Sequence, residues 1–518
     1  MTALRFTTQS PATEVNPNRS DVACFVGFVG RRDTAVPGAI SNFLIAHGYT
    51  IDPDLLDLPV PVDSWAVFQQ LFSTERAIAP NTVLRATGYL SAAVRSFFAQ
   101  GGRRCYIIRI GDPYPIDTDR AAKAGFLRRL IPGYSVGRIA STPSDRTTWT
   151  SVAHLFGLED VSFLCLPDLS DLVAADPKKL PDPEEIQRAP ETFTACSAPQ
   201  AAPPDDQRLQ GLPAPRCDRK GYRRWAKALN LVANLLARHS AALRLRPIQL
   251  VAAIPLPEDE STAQANLLTY LERTGPLAAL TAGLDDTRRG GLVSRSVQLT
   301  YPWIRSGGRT GLPEGLESPD GVLAGLLARN ALSQGTYRSA ASLPLAEAVE
   351  VAPVLGRSHL YQTSHRGKSL TERVSLFGPT PTSTQLLSDV TTSLDETVRP
   401  ASVHRLIGVI IRAARQLGQA YVFEPSSPHV WSQLTESLRG LMNQLYVAGA
   451  LRGASAEEAF EVRCDRTTMT QADIDNGRLI ARIDFVAALP IERISVTLTV
   501  SELTSGLLPV VITHQEAA

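Results

Sequence analysis

The stretch CDRTTMTQADIDNGRL, residues 464 to 479, packs Asp465, Thr467, Thr468, Thr470, Asp473, Asp475 and Asn476 between two apolar runs. Clustered carboxylates and hydroxyls could bind calcium or move protons, and their spacing decides between these. An EF-hand loop needs oxygen donors at alternate positions, Gly at the sixth and a bidentate Glu at the twelfth. Counted from Asp473, Gly477 falls at the fifth position and the twelfth is Asp484, inside a strand-like run. The spacing fails. Asn476-Gly477 reads instead as a tight turn, because both residue types tolerate positive φ.

Other chemical motifs fail in the same way. RGKS (366 to 369) has the ending of a phosphate-binding P-loop but carries Gln362 where that loop needs Gly. No G-x-G-x-x-G follows a strand-like run, so a dinucleotide fold has no support. A serine nucleophile elbow, G-x-S-x-G, does not occur; GASAE (453 to 457) comes nearest, with Glu457 in place of the second Gly. The eight histidines are dispersed, and His359 and His365 form the one close pair. Asp and Glu are plentiful, and no pair stands out for acid–base work. The six cysteines include no C-x-x-C pair, so neither a zinc site nor a disulfide framework is indicated. Their scatter fits a reducing cytoplasm. No cofactor is expected.

One charged pattern rises above this background. The run VHRLIGVIIRAARQLGQ (403 to 419) contains no acidic residue. At 100° per residue, Val403, Leu406, Ile407, Ile410, Ala414 and Leu417 gather on one helical face. Arg405, Arg412 and Arg415 fall opposite, as a basic stripe that is either a solvated face or a docking surface for an acidic partner.

The elements that would carry these residues follow from periodicity and punctuation. VACFVGFVG (22 to 30), CYIIRI (105 to 110), DVSFLCLPD (160 to 168), IQLVAAIPLP (248 to 257) and SRSVQLTYPWI (294 to 304) read as buried strands. Helices are expected at 64 to 72, 90 to 102, 221 to 238, 403 to 419 with Ser402 as N-cap, and 428 to 448. A short strand is expected at 420 to 425, and two more at 478 to 489 and 491 to 500. Helix, Gly-Gly and strand in succession at 90 to 110 is an α/β signature. Strand, helix and strand across the middle predict a largely parallel sheet. Residues 167 to 220, rich in Pro, Asp and Ala, read as a surface insertion.

Composition narrows the function classes. The chain has 518 residues, 44% of them hydrophobic, and 52 basic residues balance 51 acidic ones. That balance argues against bulk nucleic-acid or membrane-surface binding. No run has the length of a membrane span, and MTALRFTTQSPATEV has no signal-peptide core, so Sec-type export is not expected.

Longer patterns resemble one family. YVFEPSSPHVW (421 to 431), a long helix, then GALRGASAEEAFEVRCDRTTMTQADIDNGRL (449 to 479) resemble the C-terminal domain of contractile phage-tail sheath proteins. Cys464, Asp465, Asp475, Asn476 and Gly477 fall in its signature loop. Upstream, CFVGFVGRR, PVPVDSWAVFQQLF and YLSAAVRSFFAQGGRRCYIIRIG resemble the sheath pattern as well. Residues 1 to 20 lack the Gly-Val-Tyr-Ile type of opening strand common in the family.

The resemblance implies an α/β (α+β overall) chain. It would have a subtilisin-like α/β middle domain without catalytic residues, a C-terminal α/β sheath domain and extended terminal arms. Its expected divisions are an arm at 1 to 20, an N-terminal and middle region at 21 to 375, the C-terminal domain at 376 to 490 and an arm at 491 to 518. It further implies six-subunit rings stacked helically around an inner tube protein, with baseplate and terminator or cap proteins as partners. Such a particle would assemble in the bacterial cytoplasm and then be released or anchored to a membrane. Ile491, Ile494, Val496, Leu498 and Val500 would form a strand lent to a neighbouring subunit, and the three arginines would grip the tube. A hydrolase with an unrecognised site and the large sheath subunit of a type VI secretion system are the alternatives.

Overall fold

Along strand β1 (Val22–Phe28), Val22, Cys24, Val26 and Phe28 enter one hydrophobic core and Ala23 and Phe25 enter another. A strand buried on both faces must sit inside a sheet covered by helices on both sides. The computed structural model has this arrangement. It describes residues 20–80, 82–176, 209, 211–241, 247–258, 294–307, 311–361, 369–421, 424–488, 494–501 and 510–513.

The remaining strands of the large sheet are β2 (Pro59–Val62), β3 (Cys105–Gly111), β4 (Val161–Cys165), β5 (Gln249–Ala253), β6 (Val297–Tyr301), β7 (Ser375–Pro379) and β8 (Thr384–Leu386). Their spatial order is β8-β7-β6-β5-β4-β1-β3-β2, an eight-stranded sheet. The six central strands run parallel, and the edge strands β2 and β8 are antiparallel to their neighbours. The chain passes from β1 to β3 on one side and places β4 on the other. The topological switch point therefore lies between β1 and β4.

One face is covered by α1 (Tyr89–Ala99) and α4 (Pro319–Ser333), the other by α2 (Arg120–Leu130) and α3 (Arg219–Ala241). Helix α4 starts at Ser318-Pro319-Asp320, with Pro in the first turn, where its missing N–H costs nothing. It carries Gly321 and Gly325 one turn apart, facing α1. A Cβ at Gly321 would stand 2.4 Å from the Ala93 carbonyl oxygen, and one at Gly325 would stand 2.6 Å from that of Phe97. Only glycine lets these two helix backbones approach so closely.

Helices α5 (Ala401–Gln419) and α6 (Pro428–Val447) cover a second sheet of β9 (Phe460–Arg463), β10 (Arg478–Phe485), β11 (Ile494–Ser501) and β12 (Val510–Thr513), all antiparallel. Their core is separate, running from Val398 to Ala487. Strands β7 and β8, at 375 to 386, still belong to the large sheet, so the division expected at 376 moves past them. The segment at 420 to 425 differs from expectation too. Helix α5 runs to Gln419, and Ala420 and Tyr421 close it in a turn rather than opening a strand. Residues 167–176 and 211–220 of the expected insertion are built into the body through the short helix Leu169–Leu172 and the pairing of Arg216–Cys217 with Leu256–Pro257; the arm expected at 1 to 20 lies outside the described residues except for Ser20.

Candidate functional site

Helix α5 joins the two cores. Its apolar face, with Val403, Leu406, Ile407, Ile410 and Ala414, enters the C-terminal core, and Leu417 packs at its margin. Its opposite face lies across the amino ends of the parallel strands. Arg405 reaches the β6–β7 end, a Cβ on Gly408 would touch Pro247 just before β5, and Arg412 reaches Ser162 at β4 and Ser20 ahead of β1. A helix rising about 1.5 Å per residue over strands about 4.8 Å apart meets a new strand about every turn.

The arginine face is therefore not a solvent stripe. Arg405 Nη2 donates to Asp389 Oδ2 at 2.6 Å and Nη1 donates to Oδ1 at 3.2 Å, in a buried bidentate pair. Arg412 Nη1 donates to Ser162 Oγ at 3.0 Å, and Nη2 donates to Ser20 Oγ. Of the three, Arg415 alone is only partly buried. The expected tube-gripping stripe is corrected at Arg405 and Arg412, which are spent on contacts within the chain. Periodicity found the polar face, but a polar face can meet a buried polar surface as well as water. Ser402 likewise does not cap: helix α5 begins at Ala401 after Pro400, and Ser402 is buried in the first turn.

The partner of Arg405 belongs to a polar ladder across three strands. Gln249 Nε2 donates to Gln298 Oε1 at 2.6 Å. Gln298 Nε2 donates to Ser375 Oγ at 2.7 Å and to Asp389 Oδ1 at 2.9 Å. Asp389 Oδ2 also accepts from the Ala340 N–H at 2.9 Å. The Arg405 guanidinium and these donors hold the Asp389 carboxyl below the usual carboxylate range despite burial. Beside it His404 is buried with no hydrogen-bond partner on either ring nitrogen among the described residues, and burial with three nearby arginines lowers its pKa to about 3. It sits there neutral.

A catalytic site in an open parallel sheet belongs at the carboxyl ends of the strands, by the switch point. There Asp168, just after β4, accepts from the Phe28 N–H at 2.7 Å. Gly27 is required beside it, because a Cβ would stand 2.2 Å from Asp168 Oδ2. Burial pushes the Asp168 carboxyl up to about 7. Asp171 accepts from Arg76 at 2.6 Å, Lys123 at 2.8 Å and Tyr114 at 2.9 Å, and those cations hold it low. No serine or cysteine hydrogen-bonds a histidine nitrogen among the described residues. His154 Nδ1 lies 3.2 Å from the Tyr49 hydroxyl in a hydrogen bond, and its Nε2 lies 3.2 Å from Asp57 without hydrogen-bond geometry. No cluster of metal-ligating side chains occurs among the described residues.

The polar stretch 464 to 479 joins β9 to β10. Asp465 Oδ1 accepts from the Thr467 N–H at 2.7 Å, and Thr468 Oγ1 donates to the Ile480 carbonyl at 2.8 Å. Thr470 and Asp473 form a capping box on the short helix Gln471–Asp475, which Asn476 closes before Gly477 at φ +65°. Cys464 is buried, and burial lifts its thiol to about 12. Here hydroxyls and carboxylates satisfy backbone groups within the loop.

Strand β11 pairs with β10 over its whole length. Ile494, Val496, Leu498 and Val500 stand opposite Phe485, Ile483, Ala481 and Leu479; Ile491 lies outside the described residues. Within this chain the strand lies between β10 and β12, antiparallel to both. A free antiparallel edge offers the same N–H and C=O groups to a strand from either source.

No protein-family model matches the sequence, and no curated protein matches it. The fold, however, matches solved structures along nearly the whole chain. A chain of the anti-feeding prophage (AFP) baseplate in contracted state superposes with a TM-score of 0.55 at 17% identity, covering 95% of each chain. The six-fold symmetrised AFP baseplate gives 0.53 at 18% identity, and the AFP helical sheath in contracted state gives 0.51 at 18%; each covers 95% of this chain and 96% of the other.

Proposed function

We propose that this chain is the structural subunit of a contractile sheath. The observation that carries this reading is the end-to-end agreement of fold with a chain of the AFP helical sheath, across both sheets and the helix joining them. A shared fold alone can host unrelated activities. The extent of the match and the sequence pattern after residue 421 together favour a mechanical role.

On this reading the large sheet is the subtilisin-like middle domain, and the subunit polymerises as stacked six-membered rings around an inner tube protein. Baseplate and cap proteins would terminate the stack; two of the matched structures are baseplates, which supports the first of these. Contraction would move whole subunits as rigid bodies, linked by extended terminal arms. The buried Arg405–Asp389 pair suits that task, because it fixes the C-terminal unit to the large sheet while subunits rotate. Assembly would take place in the bacterial cytoplasm. Inner-tube contact, if it involves α5, falls to Arg415 rather than to its two buried companions.

Negative-stain imaging of the purified chain, alone and mixed with its tube protein, tests the reading. Striated hollow cylinders are expected. Monomers alone under both conditions would overturn it.

A further inference from the structure

Beyond the carboxyl ends of β3, β4 and β5 lies a cavity of about 420 Å³, lined there by Ile116, Asp171 and Glu258. Its size lies within the range of small-molecule sites, and its place beside the switch point is where open parallel sheets bind ligands. Arg76, Tyr89, Lys123 and Asp171 line its wall, and all four are buried.

The hydrogen bonds at this wall leave donors unused. Among the described residues Asp171 is the one carboxylate ion-paired with both cations. Arg76 spends Nε on the Tyr114 carbonyl and Nη2 on Asp171, and Nη1 makes no hydrogen bond among the described residues. Lys123 spends one of its three N–H groups on Asp171. The Tyr89 hydroxyl is buried with no partner among the described residues, and burial and Asp171 hold its pKa well above the usual tyrosine value, so it stays a donor. Arg216 and Glu314 neutralise each other at 2.7 Å, Asp176 accepts from the Arg120 backbone N–H, and Glu258 also lines the cavity. Buried donors left without acceptors call for an occupant. At the inner wall two cations meet one carboxylate, which favours an anion at that end of the cavity, while Asp176, Glu258 and Glu314 lie elsewhere in its lining.

We propose that this cavity binds a small organic anion through a carboxylate or phosphate group, held by Arg76, Lys123 and Tyr89. The site is independent of sheath assembly. Its ligand would enter past the Arg216–Glu314 pair and place its oxyanion at the inner wall.

Calorimetric titration of the full chain at constant ionic strength tests this, with succinate and inorganic phosphate as separate probes. Saturable binding of either probe at one site is expected, and the probe that binds tells carboxylate from phosphate. Tyr89→Phe removes only a hydroxyl that has no partner in the free chain, so the fold should stand while the affinity falls about tenfold. Lys123→Gln provides a second measure of the same loss. No saturable heat with either probe up to roughly 10 mM, or affinity unchanged in both variants, would overturn the proposal.

Discussion

Arg405 and Asp389 meet at 2.6 Å with side chains 4% and 0% exposed, and through them helix α5 is bound to the polar ladder of the large sheet. A buried pair of this kind adds little over a well-packed apolar pair. Breaking it is costly, because one charge is stranded.

Asp389→Ala should therefore cost about 3–5 kcal/mol in urea unfolding. Arg405→Met with Asp389→Leu should recover only part of that loss, since Gln298 and the Ala340 N–H still lack their acceptor. The Asp389 carboxyl is held low in the fold. Its stabilisation is present above the ordinary carboxylate range and is lost as pH falls through its folded pKa. A wild-type minus Asp389→Ala difference that does not shrink in acid would refute this assignment.

The three arginines of α5 should separate. Arg405→Glu and Arg412→Glu bury a carboxylate against polar partners chosen for a cation, and soluble folded protein should be lost. Arg415→Glu, at a partly buried position, should cost less in unfolding than either of the other two. Equal behaviour of the three in thermal unfolding would contradict the burial.

Glu317 gives the opposite pH dependence. Burial lifts its carboxyl from 4.5 to about 7, while Ser96 donates to Oε2 at 2.7 Å. The folded chain thus holds a proton that the unfolded chain releases above its ordinary pKa. This site's stabilisation is full below that value and is lost as pH rises through about 7. Glu317→Gln should be the more stable chain at pH 8, by on the order of 2 kcal/mol, with the advantage gone in acid. Parallel pH profiles for the two proteins would count against it.

Gly321→Ala and Gly325→Ala should each destabilise by about 1–3 kcal/mol, because the added methyl meets backbone of α1. The measurement is denaturant unfolding, and a gain in stability, as helix propensity alone would give, is the contrary result.

Removing residues 491 to 518 leaves β10 with a free edge where β11 had paired along eight residues. Circular dichroism should still report a folded chain, while electron micrographs should lack cylinders. Normal cylinders from the truncated chain would refute a role for this strand in assembly.

The strands β1, β3, β4, β5 and β6 were legible in the sequence because apolar runs closed by Gly and Pro admit few other conformations. Strand β3 was expected at 105 to 110 and spans Cys105–Gly111, and α6 was expected at 428 to 448 and spans Pro428–Val447. The turn at Asn476-Gly477 followed from backbone chemistry alone, and strand β10 does start at Arg478. Local signals misled where a neighbour intervened. Ser402 has a capping side chain, but Pro400 starts the helix.

What the sequence determined by itself was the five buried strands β1, β3, β4, β5 and β6, the largely parallel character of their sheet and the two-sided character of α5. Those depend on residue type and period within one segment. Only the tertiary structure decided what each face of α5 meets, since Arg405 finds its acceptor on a connection after β8 and Arg412 finds its own at β4 and ahead of β1. The donors around Arg76, Tyr89 and Lys123 likewise converge from three separate elements and share no motif. Periodicity reports that a face is polar; whether water or another part of the chain lies against it depends on contacts distant in sequence.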